Sequence, residues 1–134
     1  MSATGHPRRF VIAVVDDDRS VLESLEMLLA SAEYDVRLFS SAEALLESGL
    51  GEIDGLISDV GMPVMDGFAL ARSVQAARPE LPVILITGRP DVLNRSPLDV
   101  PHPCRLFKKP FNGPELLTAV GDVLRARPPR IPGS

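Results

Sequence analysis

Phe10-Val11-Ile12-Ala13-Val14-Val15 runs directly into Asp16-Asp17-Asp18. An unbroken apolar run rich in β-branched residues reads as a strand buried on both faces, as in parallel sheets. Outward from it the period changes. Val21, Leu22, Leu25, Leu28 and Leu29 form a helical stripe, and Ser20 with Glu23 has capping-box spacing. Val36, Leu38 and Phe39 predict a second strand, after which Ser40 with Glu43 opens a short helix carrying Leu45 and Leu46. Gly55 to Ser58 reads as a third strand ending at Asp59. Gly61 to Gly67 is loop, and Phe68, Ala71, Val74 and Ala77 form a helical stripe that stops before Pro79. Val83 to Thr87 and Arg105 to Lys108 supply the fourth and fifth strands. Asn112, with Glu115 at the capping-box position, starts a last helix with Leu116, Leu117, Val120, Val123 and Leu124 on one face.

Strands alternating with helices imply an α/β fold, a five-stranded parallel sheet doubly wound by right-handed crossovers. One stretch breaks the rhythm. Between Thr87 and Lys109 the alternation calls for a helix, yet Pro90, Pro97, Pro101 and Pro103 fall there. Each proline inside a helix costs about 3 kcal/mol through a lost hydrogen bond and a ring clash. The helix between strands four and five is therefore expected to be shortened or lost.

Composition narrows the class. The 134 residues, 45% hydrophobic and 24% charged, suit one folded domain. A chain of this size buries roughly 65–70% of its unfolded surface, enough for a core without staples. A single cysteine excludes a disulfide framework and a multi-cysteine zinc site. With 14 basic against 18 acidic residues the net charge is −4, which argues against nonspecific nucleic-acid or anionic-membrane binding. No apolar run approaches the roughly 18 residues of a membrane helix. Arg8-Arg9 precedes an apolar run too short for a signal peptide, so the expected location is cytoplasmic. Residues 1–8 are expected to be a flexible amino terminus, 9–125 the folded domain, and 126–134, with Pro128, Pro129 and Pro132, a disordered tail.

Polar residues cluster where strands end: Asp16, Asp17 and Asp18 after strand one, Asp59 after three, Thr87 after four, Lys109 after five. In an open parallel sheet these ends share the carboxyl edge, where ligands bind at the switch in strand order. If strands one and three are neighbours, Asp16, Asp17 and Asp59 converge, and carboxylates that close need a cation or a shared proton. An all-oxygen acidic pocket selects a hard ion, with Mg²⁺ the expected cofactor. A carboxylate beside Mg²⁺, with a hydroxyl and an ammonium for spare phosphoryl oxygens, suits in-line phosphoryl transfer to an aspartate.

Val14-Val15-Asp16-Asp17-Asp18, Ser58-Asp59-Val60-Gly61-Met62-Pro63 with Asp66-Gly67, Ile86-Thr87-Gly88 and Lys108-Lys109-Pro110-Phe111 occur in that order. Together they resemble the receiver domain of two-component response regulators, over roughly residues 9 to 125. The resemblance implies a flavodoxin-like sheet of order 2-1-3-4-5 and a stand-alone phosphorylation switch. Asp59 would accept phosphoryl from a sensor histidine kinase or phosphotransfer protein. Asp16, Asp17, Asp59 and the backbone carbonyl of Gly61 would hold Mg²⁺. Thr87 would hydrogen-bond the phosphoryl group and Lys109 would pair with it, across a Lys109-Pro110 bond that is usually cis in this family. The signal would pass to a downstream protein target, or the phosphoryl onward as through a shuttle or sink, with no nucleic acid or membrane partner. The chain would be a monomer or weak homodimer, and no enzyme beyond its own phosphorylation and dephosphorylation.

Other polar residues take plainer readings. Asp18 is a helix cap, Lys108 is solvated on the opposite side of its strand from Lys109, and Met62, Met65 and Phe68 pack in loop and core. His6 and His102 have no ligand partners at suitable spacing, Cys104 is expected to begin the last strand as a buried apolar residue and not a redox centre, and Arg125, Arg127 and Arg130 solvate the tail. The chain departs from the family pattern twice: in the prolines between strands four and five, and at Leu106, where receivers commonly carry Tyr or Phe. Phe107 is expected on the other side of the strand. Phosphorylation is therefore expected to act by ordering or shifting the Pro90 to Pro103 segment, a change of local order and not a ring flip. Arg89 and Gly61, each two residues past a site residue, flank the incoming phosphoryl group. Two other functions compete with the switch: a phosphate-independent adaptor, which the disrupted relay favours, and a small aspartyl-phosphate hydrolase, for which no residues are left to build a substrate pocket.

Overall fold

A computed structural model of the chain describes residues 9–62, 64–88 and 104–126. Its strands are β1 (Val11–Val15), β2 (Asp35–Phe39), β3 (Gly55–Asp59), β4 (Val83–Thr87) and β5 (Cys104–Lys108). All are parallel, in the order β2-β1-β3-β4-β5. The helices among the described residues are α1 (Arg19–Ser31), α2 (Ala42–Ser48), α3 (Gly67–Ala77) and α4 (Gly113–Ala126). None is long and apolar enough to cross a membrane. The expectations for the amino terminus with His6, for Arg89, for the Pro90 to Pro103 segment with His102, and for the tail after Ala126 lie outside the described residues.

Strand alternation explains why the apolar runs are continuous. Ala13, Val15, Leu56, Val83 and Leu85 face α2 and α3, packing with Leu45, Phe68, Leu70 and Val74. Their neighbours Ile12, Val14, Ile57, Ile84 and Ile86 face α1 and α4, packing with Leu25, Leu29, Leu116 and Val120. Both faces are covered, so neither can be polar. Leu106 packs with the α2/α3 cluster and Phe107 with the α1/α4 cluster, on opposite sides of β5 as their spacing requires.

The starts of α1 and α2 are set by caps next to the strand ends. Of the two candidates at α1, Asp18 is the N-cap and Ser20 is not: the Asp18 carboxylate accepts the Ser20 N–H at 2.9 Å and the Ser20 hydroxyl at 2.7 Å. The helix begins as soon as the chain clears β1, and a carboxylate accepts orphan N–H groups more strongly than a hydroxyl does. At α2 the cap is Ser41, whose hydroxyl accepts from Ala44 N at 3.1 Å, in place of Ser40. Asn112 caps α4 as its spacing implied, accepting from Glu115 N at 2.9 Å.

The amino edge of the sheet is held by a residue the sequence did not single out. Arg78, the C-cap of α3, donates from Nη1 to the carbonyls of Leu50 and Ile53, each at 2.6 Å. Its Nε and Nη2 lie 2.9 Å from Glu80 Oε2. The side chain is only 13% exposed. One guanidinium thus ties the approach to β3 to the end of α3, two connections that have no shared ladder.

Candidate functional site

Val15 pairs with Ser58, so β1 and β3 end side by side and deliver their next polar residues to one edge. Carboxylate oxygens of Asp16, Asp17 and Asp59 lie within 4.8 Å of one another, Asp16 and Asp59 buried and Asp17 exposed. No other such group of potential metal ligands occurs among the described residues. The predicted convergence is therefore present.

Lys109, at the end of β5, reaches across the sheet edge. Its Nζ is 3.0 Å from Asp59 Oδ1 and 3.2 Å from Asp16 Oδ2, offsetting part of the repulsion between the two acids. The other Asp16 oxygen accepts the Asp18 N–H at 2.9 Å. Burial pushes the Asp16 carboxyl above its ordinary value and the Asp59 charge adds to this, against the lowering by the Asp18 N–H and Lys109. Burial alone would lower Lys109, but its hydrogen bond to Asp59 and the charges of both acids raise it, so it stays cationic. Asp18 stands outside the cluster as a cap, held low by the Ser20 hydroxyl and N–H.

The remaining predicted residues border this pocket. Thr87 is buried at the end of β4, directly after Ile86, which is in register with Asp59. The backbone at Gly61 runs past the acid: a Cβ built there would sit 3.9 Å from Asp59 Oδ2. Lys108 is exposed, and the Lys109-Pro110 peptide bond is cis. An anionic, all-oxygen donor set of three carboxylates fits a hard divalent cation that takes few protein ligands and keeps several waters.

The model of the response regulator receiver domain matches residues 12–121 of this sequence. The chain belongs to that family. Among its relatives, the transcriptional regulatory protein FixJ of Bradyrhizobium diazoefficiens is 34% identical over 134 residues, covering 96% of this chain and 61% of FixJ. The response regulator protein TmoT of Ectopseudomonas mendocina is 36% identical over 120 residues, covering 88% of this chain and 54% of TmoT. This receiver thus spans little more than half the length of those curated relatives. Among solved structures, the response regulator receiver protein from Sinorhizobium medicae superposes with a TM-score of 0.77 at 29% identity, covering 90% of this chain and 98% of that one.

One feature of the receiver's acidic edge was not legible from residue type. Val64, in the loop after Asp59, has φ +70° and is 95% exposed. The left-handed region costs an L-residue about 1–2 kcal/mol, and a β-branched side chain is least suited to it. On either side of Val64, Met62 is buried and Met65 packs against the core. Val64→Gly is expected to raise stability by about 1 kcal/mol after the glycine's extra unfolded-state entropy is subtracted. Urea denaturation checks this; a less stable variant would show that the valine side chain contributes more than its backbone costs.

Proposed function

We propose that this receiver is a phosphorylation switch in which Asp59 takes a phosphoryl group from the phosphohistidine of a sensor kinase or phosphotransfer protein. The observation that carries the reading is the convergence of Asp16, Asp17 and Asp59 on one sheet edge with Lys109 already bonded to two of them. Asp16, Asp17, Asp59 and the Gly61 carbonyl would hold Mg²⁺. When bound, the ion supplies positive charge against the phosphoryl oxygens and lets two anions approach.

The chain's own groups account for the rest. A carboxylate oxygen of Asp59 forms the bond to phosphorus while the phosphorus–nitrogen bond of the donor breaks, and that electron pair leaves with the imidazole. Lys109, with Nζ 3.0 Å from Asp59 Oδ1, lies beside the attacking carboxylate. The Thr87 hydroxyl donates to one phosphoryl oxygen, and the Lys109 ammonium transfers its contact from Asp59 to another. Burial of Asp16 and Asp59 makes each of these contacts stronger than it would be in water.

The modified receiver signals by binding a downstream protein or passes its phosphoryl group onward as a shuttle or sink. The net charge of −4 supports a protein partner over nucleic acid.

Asp17 is the most informative position for the metal because it is exposed and its replacement leaves the core intact. Saturating Mg²⁺ at a hundredfold over its dissociation constant is expected to stabilise the wild type by about 2.7 kcal/mol. Asp17→Asn should melt near the wild type without Mg²⁺ and lose most of the Mg²⁺-induced rise. With phosphoramidate, the smallest donor holding a phosphorus–nitrogen bond, its phosphorylation should be at least about tenfold slower. Equal Mg²⁺ shifts and equal rates in the two proteins would contradict this use of Asp17.

A further inference from the structure

Two residues lie against the main chain at Asp59 and Val60. Ser58 is fully buried, a lone hydroxyl in a strand otherwise made of glycine, leucine, isoleucine and the terminal acid. Its Oγ donates to the Asp59 carbonyl oxygen at 3.0 Å. Gly67, the first residue of α3, donates its N–H to the Val60 carbonyl at 2.9 Å. A Cβ placed on Gly67 would overlap the Asp59 carbonyl oxygen, and would come within 2.9 Å of Val60 Cα and 3.1 Å of the Asp59 carbonyl carbon. All three are backbone atoms, which have no rotamer by which to move aside. Glycine at 67 is thus required by the close approach of α3 to the end of β3.

From these contacts we infer that Ser58 and Gly67 are positioning residues for Asp59: they clamp its peptide and fix where its carboxylate meets Asp16, Asp17 and Lys109. The inference rests on Asp59 being the phosphoacceptor. Asp59 sits at the last position of β3, where the ladder ends and the chain turns into a loop. On one side Val60 N is held by the Ile86 carbonyl at 2.9 Å. On the other side the peptide is held by the Ser58 hydroxyl and by the first turn of α3, which Asp66 sets by accepting from Ala69 N at 2.8 Å. A strand end free on that side would let the carboxylate drift, and a misplacement of about 1 Å is enough to cost on the order of a hundredfold in rate.

The distinguishing measurement is Mg²⁺ affinity, by isothermal titration or Mg²⁺-dependent melting, beside the rate of phosphorylation by acetyl phosphate. Gly67→Ala must push α3 or the end of β3 away and is expected to weaken Mg²⁺ binding at least about tenfold, the effect typical of residues that orient a metal ligand. Ser58→Ala removes one hydroxyl without adding an atom and should weaken Mg²⁺ binding and slow phosphorylation several-fold; Ser58→Thr, which keeps the hydroxyl, should recover both. Val74→Ala, in the same helix but facing the core, should lower the melting temperature and leave Mg²⁺ affinity unchanged, which separates positioning from general destabilisation. Wild-type Mg²⁺ affinity and rate in Ser58→Ala would overturn the inference, and that variant decides alone if Gly67→Ala does not fold. A wild type that takes no phosphoryl group, with Asp59→Ala as its blank, would instead fail the phosphoacceptor reading.

Discussion

Arg78→Ala is expected to lose about 3 kcal/mol of stability, although Arg78 lies at the opposite edge of the sheet from the acidic pocket. The guanidinium gives two short hydrogen bonds to the Leu50 and Ile53 carbonyls and pairs with Glu80, and it is largely shielded from water. Hydrogen bonds from a charged donor contribute about 1.5–3 kcal/mol each, and their removal also leaves the acceptors short of partners. For a domain of this length the loss corresponds to a fall in melting temperature of roughly 10 °C. Arg78→Lys should recover less than half of it, because one ammonium cannot replace a planar fork that serves two carbonyls and a carboxylate. Thermal and urea denaturation of the three proteins test this, and a loss under about 1 kcal/mol in Arg78→Ala would mean that water replaces the clamp. Since Arg78 touches no residue of the acidic edge, the folded fraction should still respond to Mg²⁺.

Lys109→Met acts on the pocket itself and should show two opposed effects. The methionine keeps most of the apolar stem but leaves Asp16 and Asp59 facing each other without a cation. Breaking a buried pair by removing one partner typically costs about 3–5 kcal/mol, and the partial exposure of Lys109 brings the expected loss without Mg²⁺ down to about 2 kcal/mol. With Mg²⁺ most of that loss should be recovered, because the ion no longer competes with an ammonium for the same carboxylate oxygens. The Mg²⁺-induced rise in melting temperature should therefore be larger in the variant than in the wild type. Phosphorylation should nonetheless slow at least about tenfold, because the ammonium is the group that pairs with the transferred phosphoryl oxygens. Unchanged melting without Mg²⁺ and an unchanged rate would together show that the two salt bridges contribute nothing.

The architecture was legible because both of its signals are periodic. Val83 to Thr87 and the run into Asp16 can be buried on both faces only in a parallel sheet, and the Leu22, Leu25, Leu29 stripe can bury one face only as a helix. The acidic edge followed, since topology alone brings the residues after β1, β3, β4 and β5 together. Caps were less legible. Asp18 and Ser20, or Ser40 and Ser41, are both competent, and the choice depends on where the chain leaves the strand, which residue type does not encode. Arg78 could not be found by pattern because its partners are main-chain carbonyls 25 and 28 residues away, and a carbonyl has no sequence signature. The same holds for Ser58 and Gly67, whose hydrogen bonds and close approach are to main-chain atoms of Asp59 and Val60. Gly67 did carry a signal in the Asp66-Gly67 pair, a cap followed by a residue with no Cβ where a helix starts close to a strand end.

The most direct test is the intact mass of the protein after incubation with acetyl phosphate, with and without Mg²⁺, beside Asp59→Ala. A single phosphoryl adduct that requires Mg²⁺ and is absent from the variant is the expected result. An adduct of equal yield in Asp59→Ala, or none in the wild type with Mg²⁺ present, would contradict the assignment of Asp59 as the phosphoacceptor.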